Sequence, residues 1–241
     1  MFGPEGPRLR ELAVQALSSV EHGYDLLAPK FDHTPFRTPA PVLDAVATAL
    51  ARLGPFGTGL DLCCGTGAGL DVLATVCRSG VTGVDFSAGM LSVAREHTAS
   101  LRPPARLVRA DARALPFGPS FDLVVSFGAF GHFLPRELPG LFAQVHSVLR
   151  PGGSFAFPVL APPRPGSPWF WALLGFDAAM RIRNAVWRPP FVMYYRAFRF
   201  TDAVRDMTRA GFDVALLDLP ELGHRPDGSP RARLVVARRG T

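Results

Sequence analysis

Three glycines at alternate positions follow a short apolar segment in "GLDLCCGTGAGL", residues 59–70. This spacing predicts a strand, a tight turn and a helix, because Gly65 and Gly67 would let the backbone approach a ligand without an intervening Cβ. The amides and the positive dipole end of that helix would suit an anionic group. The glycines alone leave open a tight turn that binds no ligand.

Two nucleotide motifs are excluded at this turn. Leu70 stands where the third glycine of the dinucleotide fingerprint G-x-G-x-x-G would fall. The segment also lacks the Gly-Lys-Ser/Thr sequence with which a P-loop ends. The sequence therefore disfavours both a nicotinamide-dependent dehydrogenase and a P-loop nucleotidase, and the ligand must be identified from residues further along the chain.

Aspartates stand at successive predicted strand ends. Asp61 lies in the first strand, Asp85 ends the second ("VTGVD"), and Asp111 with Ala112 ends the third ("VRADA"). A carboxylate at the second strand end can accept hydrogen bonds from both ribose hydroxyls, and the third strand end is where an adenine amino group would need an acceptor. Each aspartate alone is equally well explained as a helix cap or a turn residue. Their order along the chain predicts a nucleoside site.

From residue 56 the chain alternates apolar strands with helical segments, which predicts a doubly wound α/β fold around a mostly parallel sheet of seven strands. The last two strands, "FDVALLDLP" and "RARLVVARR", are predicted as an antiparallel pair at the sheet edge. Helices are predicted over "AGLDVLATVCRSG", ending at Gly80, and over "LPGLFAQVHSVLR". We expect "YDLLAPKFDHTPFRTPAP", rich in proline and aromatic residues, to be mostly irregular.

Composition narrows the function classes. The chain has 241 residues, 48% of them hydrophobic and 19% charged, so it can bury a large core. Lys30 is the single lysine in a chain of net charge +6, and the arginines are scattered, so no nucleic-acid partner is predicted. Three cysteines without a C-x-x-C pattern predict no disulfide framework and no metal site. With no apolar run of 18 residues, we expect no membrane span. The cysteine usage fits a reducing compartment, so we expect a cytoplasmic location.

Four motifs, "LDLCCGTGAG", "GVDFSAGML", "ADARALPFGPSFDLVVS" and "VLRPGG", resemble those of the class I S-adenosylmethionine-dependent methyltransferases. The resemblance covers about residues 56–158, extends through "FRFTDAVRDMTRAGFDV", and is nearest to the branch that includes the ubiquinone and menaquinone biosynthesis enzymes. It implies a Rossmann-like fold and methyl transfer from S-adenosylmethionine to an O, C or N atom of a small apolar or aromatic acceptor. A quinone-like compound and a secondary metabolite both fit that description.

Two other functions stay open. The first is a module that binds S-adenosylmethionine or S-adenosylhomocysteine without turnover. The second is a nucleic-acid methyltransferase, which is disfavoured because "SFGAFGHF" stands where an "NPPY"-type segment would follow the fourth strand.

The resemblance also implies the residues that hold the cofactor. The glycine turn would surround its methionine part, Asp85 would bind the ribose, Phe86 and the third strand end would meet the adenine, and Ser126 would lie near the sulfonium. Tyr24 and Phe31, in "YDLLAPKFD", would cover it. The implied cofactor-binding residues are Tyr24, Phe31, Asp61, Cys63, Gly65, Thr66, Gly67, Asp85, Phe86, Met90, Asp111, Ala112, Ser126 and Phe127.

His132 is predicted as a general base, because it follows the fourth strand in "FGAFGHF" beside the expected methyl site. A loop histidine with a structural hydrogen bond is an equally open interpretation. The insertion at 161–199 carries all three tryptophans and is predicted to be a substrate lid. The predicted substrate-binding residues are Phe130, His132, Trp169, Phe170, Phe191, Tyr194 and Tyr195.

Three alternatives for this insertion remain: a helix that only packs on the sheet edge, a dimer contact, and a weak membrane-surface helix. The last is considered because arginines interleave with the apolar residues of the insertion. The oligomeric state, monomer or homodimer, is left open. We expect a single methyltransferase domain over residues 1–241 in four parts: an N-terminal helical cover (1–55), a cofactor-binding core (56–160), the lid insertion (161–199), and a C-terminal helix with two strands (200–241).

Overall fold

Strands and helices alternate along the chain in the computed structural model, which describes residues 6–34, 36–102, 104–187, 192–193 and 200–241. The strands are β1 (Phe56–Leu62), β2 (Cys77–Asp85), β3 (Arg106–Arg109), β4 (Phe121–Val125), β5 (Leu149–Leu160), β6 (Phe212–Asp218) and β7 (Ala232–Arg239). The helices are α1 (Leu9–Leu17), α2 (Val20–Leu27), α3 (Ala40–Leu53), α4 (Ala68–Val76), α5 (Ala88–His97), α6 (Leu138–Val148), α7 (Pro168–Val186) and α8 (Phe200–Arg209). A 3-10 turn, Ala28–His33, extends α2.

The strands form one seven-stranded sheet in the order β3-β2-β1-β4-β5-β7-β6. β1 pairs in parallel with β2 and β4, whereas β7 runs antiparallel to both β5 and β6. This architecture confirms the predicted doubly wound fold, with β7 between β5 and the edge strand β6. The strand order reverses between β1 and β4, and the carboxyl ends of strands at such a reversal bind ligands in open α/β sheets.

Both faces of the sheet are covered, which explains the continuous apolar character of its central strands. On one face, Phe142 of α6 packs with Phe155 and Phe157 of β5. On the other face, Leu50 of α3 and Leu70 of α4 belong to a second apolar cluster. Burial on both faces therefore fixes the register of β1 and β4, whose carboxyl ends carry the candidate site.

Two local predictions are wrong. The first turns of "YDLLAPKFDHTPFRTPAP" are helical, because the Ser19 hydroxyl accepts a hydrogen bond from the amide of His22 and caps α2. The helix predicted to end at Gly80 ends at Val76 instead. Cys77 already belongs to β2 and pairs with Phe56 of β1, so a distant strand pairing overrides the helical spacing.

The insertion after β5 contains one long helix, α7, of 19 residues. Among the described residues, no helix is both long and apolar enough to span a bilayer. The inner side of α7 packs on the start of α2 and on Leu134, in the loop after β4. It therefore lies over the side of the molecule on which β4 ends.

Candidate functional site

A small cavity, partly open to solvent, lies where β1 and β4 end. The glycine turn forms its floor, and residues between α2 and α3 close it from above. Its lining residues are Phe31, Phe36, Arg37, Thr38, Asp61, Cys63, Cys64, Gly65, Thr66, Ala68, Gly69 and Phe127. Six residues that were predicted from the sequence to hold a cofactor are therefore brought together around one space, namely Phe31, Asp61, Cys63, Gly65, Thr66 and Phe127.

The three glycines of the turn serve different purposes. Gly65 and Gly67 have positive φ angles, 52° and 98°, which disfavour residues with a Cβ. Gly67 is the N-cap of α4, so the amides of Ala68 and Gly69, two residues of the cavity lining, have no intrahelical partner. At Gly69 the reason is space, because a Cβ there would lie 2.4 Å from Asp61 Oδ2. The predicted turn thus brings the backbone close to a carboxylate as well as to the cavity.

Asp85 links the glycine turn to the next strand. Its Oδ2 accepts a hydrogen bond from the amide of Gly65 at 2.9 Å, and its Oδ1 accepts one from the amide of Ser87 at 2.9 Å. The residue is 7% exposed. Burial raises the pKa of Asp85, while these backbone hydrogen bonds oppose the rise. The carboxylate is rigidly held and keeps lone pairs for further donors.

Asp61 is buried without a partner. It is 2% exposed, and no described residue donates a hydrogen bond to its carboxylate. Burial raises the pKa of Asp61 well above its ordinary value, and the charge of Asp85 adds to the rise. A buried carboxylate without a donor is costly. Its place on the cavity wall therefore favours a cationic ligand group beside it.

Arg37, which the sequence interpretation missed, brings a positive charge to the same cavity. Its Nε is buried and makes no hydrogen bond among the described residues, although it lies 3.2 Å from Asp32 Oδ1 in an ion pair. Asp32 in turn accepts a hydrogen bond from the Thr66 hydroxyl at 2.7 Å, which ties the cover to the glycine turn. The only sequence signal was a basic residue within the proline-rich and aromatic covering segment.

Asp25, also missed, holds the cover in place. Its Oδ1 accepts hydrogen bonds from the Ser87 hydroxyl at 2.5 Å and from the amide of Gly89 at 2.9 Å. Both donors lie at the N-terminus of α5, where a negative charge is favourable. One residue earlier, Tyr24 packs with the buried side chain of Met90 and lies 6.1 Å from the ring of Phe31. The covering aromatics therefore have a fixed anchor.

Tyr24 and His132 form a chain of hydrogen bonds that joins three distant segments. Tyr24 Oη lies 2.9 Å from His132 Nε2, and His132 Nδ1 lies 2.9 Å from the carbonyl oxygen of Val192. A carbonyl can only accept, so Nδ1 carries the proton and Nε2 accepts from the tyrosine hydroxyl. Burial lowers the pKa of His132, and the bond to Val192 opposes this. The imidazole is therefore neutral at neutral pH with both ring nitrogens engaged.

The residues predicted to meet adenine are more exposed. Asp111 is half-exposed, and its carboxylate is bound by the guanidinium of Arg113 at 2.7 Å. Ala112 is buried beside it, and Phe86 is half-buried. Ser126 is buried and donates its hydroxyl to the carbonyl of Leu62 at 3.0 Å, so it joins β4 to β1. These side chains lie along the same sheet edge as the cavity but outside its lining.

The predicted substrate-binding residues that the structure describes do not line one common pocket. Phe130 is a core residue, with its ring centroid 4.7 Å from that of Phe157, because the 3-10 turn after β4 directs it inward. Trp169 is 66% exposed, and Phe170 is half-buried. Phe191, Tyr194 and Tyr195 lie outside the described residues. A wall of lid aromatics is therefore not formed by the part of the insertion that the structure describes.

The adjacent cysteines are unsuited to nucleophilic chemistry. Burial raises the pKa of both thiols well above the ordinary value, and nearby carboxylates add to the rise. Protonated thiols are poor nucleophiles and poor metal ligands. Cys63 has a positive φ of 59° at the end of β1, which turns the chain towards Gly65. The two residues act as small apolar wall residues.

Comparisons with known proteins identify the central segment. Residues 60–153 match the family described as "Methyltransferase domain". An uncharacterized methyltransferase of Synechocystis is 36% identical over 132 residues, which are 54% of this chain and 58% of that protein. A demethylmenaquinone methyltransferase of Staphylococcus aureus is 44% identical over 98 residues, 39% of each chain. The chain thus spans less than two thirds of the length of either relative.

A solved structure supports the fold. A SAM-dependent methyltransferase of Methanosarcina mazei matches with a TM-score of 0.57 and 19% identity, covering 78% of this chain and 94% of that one. At this identity the likeness concerns the fold alone. With the matching domain and the methyltransferase relatives, it confirms the predicted resemblance. Residues 60–153 match a methyltransferase domain, and the chain has the fold of the S-adenosylmethionine-dependent methyltransferases.

Proposed function

We propose that this protein transfers a methyl group from S-adenosylmethionine to an O, C or N atom of a small apolar or aromatic acceptor. The observation that carries the proposal is the pair of opposite charges on the cavity wall: Asp61, to which no described residue donates a hydrogen bond, and Arg37, which is paired with Asp32 and also lines the cavity. An amino-acid group bears one ammonium and one carboxylate. The cavity offers one residue for each of them.

The residues present fit the amino-acid end of the cofactor. Asp61 would accept hydrogen bonds from the ammonium, which would compensate its buried charge. Arg37 would donate to the carboxylate, together with the free amides at the start of α4. Gly65 leaves room for this group, because a Cβ there would meet no atom within 4 Å. The site is thus complementary to a zwitterion.

Asp85 would hold the ribose. Its two oxygens are already fixed by the amides of Gly65 and Ser87, so the carboxylate is oriented before the ligand arrives. Its remaining lone pairs suit two hydroxyl donors. Phe86 and Ala112, at neighbouring strand ends, would contact the adenine, while Asp111 would have to act beside its ion pair with Arg113.

The bound sulfonium supplies an activated methyl group, so the protein mainly has to align the acceptor and exclude water. Tyr24 lies in the cover and is itself held by His132. Where the acceptor must lose a proton, Tyr24 Oη would take it while passing its own proton to His132 Nε2. The carbonyl of Val192 would then accept from the resulting imidazolium at Nδ1. In this scheme His132 acts through Tyr24 and does not itself contact the acceptor.

Calorimetry with two ligands tests the proposal. S-adenosylhomocysteine carries the amino-acid end, whereas methylthioadenosine shares the nucleoside and lacks it. We expect Arg37→Gln to weaken S-adenosylhomocysteine binding by about tenfold or more and to leave methylthioadenosine binding unchanged, because a charge-assisted hydrogen bond contributes about 1.5–3 kcal/mol. Arg52→Gln, an exposed arginine at the end of α3, is the matched control.

Failure of the wild-type protein to bind either ligand would overturn the cofactor assignment. A protein that binds S-adenosylhomocysteine but methylates none of a panel of quinols, phenols and amines would instead be a binding module. Formation of S-adenosylhomocysteine with a member of the panel would identify that compound as an acceptor, and the structure of its methylated product would identify the acceptor atom.

A further inference from the structure

One face of α7 is apolar and exposed along most of the helix. Its residues follow one another at helical spacing, and we call them the apolar face of α7: Trp171, Leu174, Ala178, Ile182, Ala185 and Val186. The exposed fraction of the large side chains rises from 36% at Leu174 to 77% at Val186. A continuous exposed apolar surface of this kind usually marks an interaction site.

The contacts of α7 hold this face outward. Met180, on the opposite side of the helix, packs with Val20 at the start of α2 and with Leu134. At the C-terminal end, the indole nitrogen of Trp187 donates to the carbonyl of Leu17 at 3.3 Å. Leu17 is itself 49% exposed, so α1 continues the apolar surface at this end. The exposure follows from how the helix docks on the cover.

The charges and aromatic residues of α7 suit a lipid surface. Its single acidic residue, Asp177, is buried, whereas Arg181 is exposed at the margin of the apolar face. Tryptophan prefers the interface between headgroups and acyl chains, and arginine attracts anionic headgroups. The net charge of +6 acts in the same direction.

We infer that the apolar face of α7 binds the surface of an anionic membrane, with Trp171 at the interface and Arg181 at the headgroups. The contact is peripheral, since no described helix is suited to span a bilayer. Because α7 docks on the cover and on the loop after β4, this contact brings the carboxyl edge of the sheet close to lipid. The inference itself does not require the proposed methyl transfer.

Vesicle co-sedimentation tests the inference with two vesicle compositions, phosphatidylcholine alone and an equimolar mixture with phosphatidylglycerol. We expect the full chain to bind the mixed vesicles more tightly, with weaker binding at high salt and a blue shift of tryptophan emission. The double variant Ile182→Asp/Val186→Asp should bind the mixed vesicles at least about tenfold more weakly, because two apolar side chains leave the interface. The matched control, Leu53→Asp/Leu216→Asp, removes side chains that are 44% and 41% exposed on α3 and β6.

Equal loss of binding in both double variants, or no binding of the wild-type chain to mixed vesicles, would overturn the inference. So would light scattering that shows a dimer which only the α7 variant dissociates, since the face would then bind a second copy. Circular dichroism checks that the variants fold, and the wild-type emission shift tests the contact without any substitution. S-adenosylhomocysteine binding, measured on the same samples, reports separately on the proposed function.

Discussion

Around the glycine turn, the carboxylates of Asp85 and Asp25 are held by donors of neighbouring segments, whereas along α7 apolar side chains are exposed to solvent. Asp85 is fixed by two amides and Asp25 by one amide and one hydroxyl, all from short neighbouring stretches. Within the described part of α7, only Asp177 and Met180 are buried. The first region is shaped by the core before any ligand binds. By contrast, α7 is held by few contacts, and its exposed apolar face is accessible to a partner.

This difference suggests how the two halves of the proposed reaction are encoded. A cofactor common to many proteins requires fixed charges at fixed distances, and a rigid sheet edge provides them. An acceptor that differs from one enzyme to the next is better served by an insertion that can vary without disturbing the sheet. The comparison predicts that substitutions near the turn change cofactor binding strongly, while those on the acceptor side change it little.

Asp85→Asn gives the largest expected effect. The substitution removes the charge that would accept from two ribose hydroxyls, each such bond contributing about 1.5–3 kcal/mol. We expect S-adenosylhomocysteine affinity to fall by about 100-fold or more, measured by calorimetry. Asp71→Asn is the control, because Asp71 is half-exposed on α4 and pairs with His97 at the surface. Unchanged affinity of Asp85→Asn would remove this residue from the site.

Gly69→Ala tests how tightly the turn is packed. A Cβ would lie 2.4 Å from Asp61 Oδ2 and 2.7 Å from Phe127 Cδ2. We expect the free energy of unfolding in urea to fall by about 1–3 kcal/mol, although alanine is the better helix former. Gly140→Ala in α6 is the matched control, because a Cβ there meets no atom within 4 Å. Equal stabilisation of both variants would show that the turn has room to adjust.

The sequence predicted the fold and the glycine-turn half of the site because their signals are local. Apolar strands, alternate glycines and aspartates at strand ends lie within about 55 residues, and the parallel sheet aligns them. Arg37 could not be predicted, because its approach to Asp61 depends on how Asp25 anchors the cover on α5. The inward position of Phe130 could not be predicted either, because it depends on packing with Phe157 of β5, a contact between segments distant in the sequence.

The charge of Asp61 should make cofactor binding depend on pH. Burial raises the pKa of Asp61 well above its ordinary value of 3.8, and a bound ammonium would lower it again. Binding then releases a proton, so affinity should rise with pH between the ordinary pKa and the raised one. Calorimetry in buffers of different ionisation enthalpy measures this release. Asp61→Asn should reduce the number of protons released on binding. Methylthioadenosine lacks the ammonium, so its binding to the wild-type protein should not release the proton of Asp61.

The smallest effect on cofactor binding is expected at Tyr24 and His132, which the proposed relay assigns to the acceptor side although Tyr24 lies in the cover. Tyr24→Phe removes the hydroxyl 2.9 Å from His132 Nε2 and should cost about 0.5–1.5 kcal/mol of stability. Cofactor affinity should change by less than about threefold, because Asp85 and the turn stay intact. His132→Gln should give a similar result.

The double variant distinguishes a working pair from two separate residues. If Tyr24 and His132 act as one relay, the two substitutions together should lower methyl transfer to a phenolic acceptor little more than either alone, because each breaks the same chain. Because burial lowers the pKa of His132, the imidazole is protonated only below the ordinary pKa, and transfer should fall on acidification through that lowered pKa. His132→Gln should lose this acid limb. Additive losses with an unchanged pH profile would assign the pair to holding the cover closed and leave proton removal to the solvent.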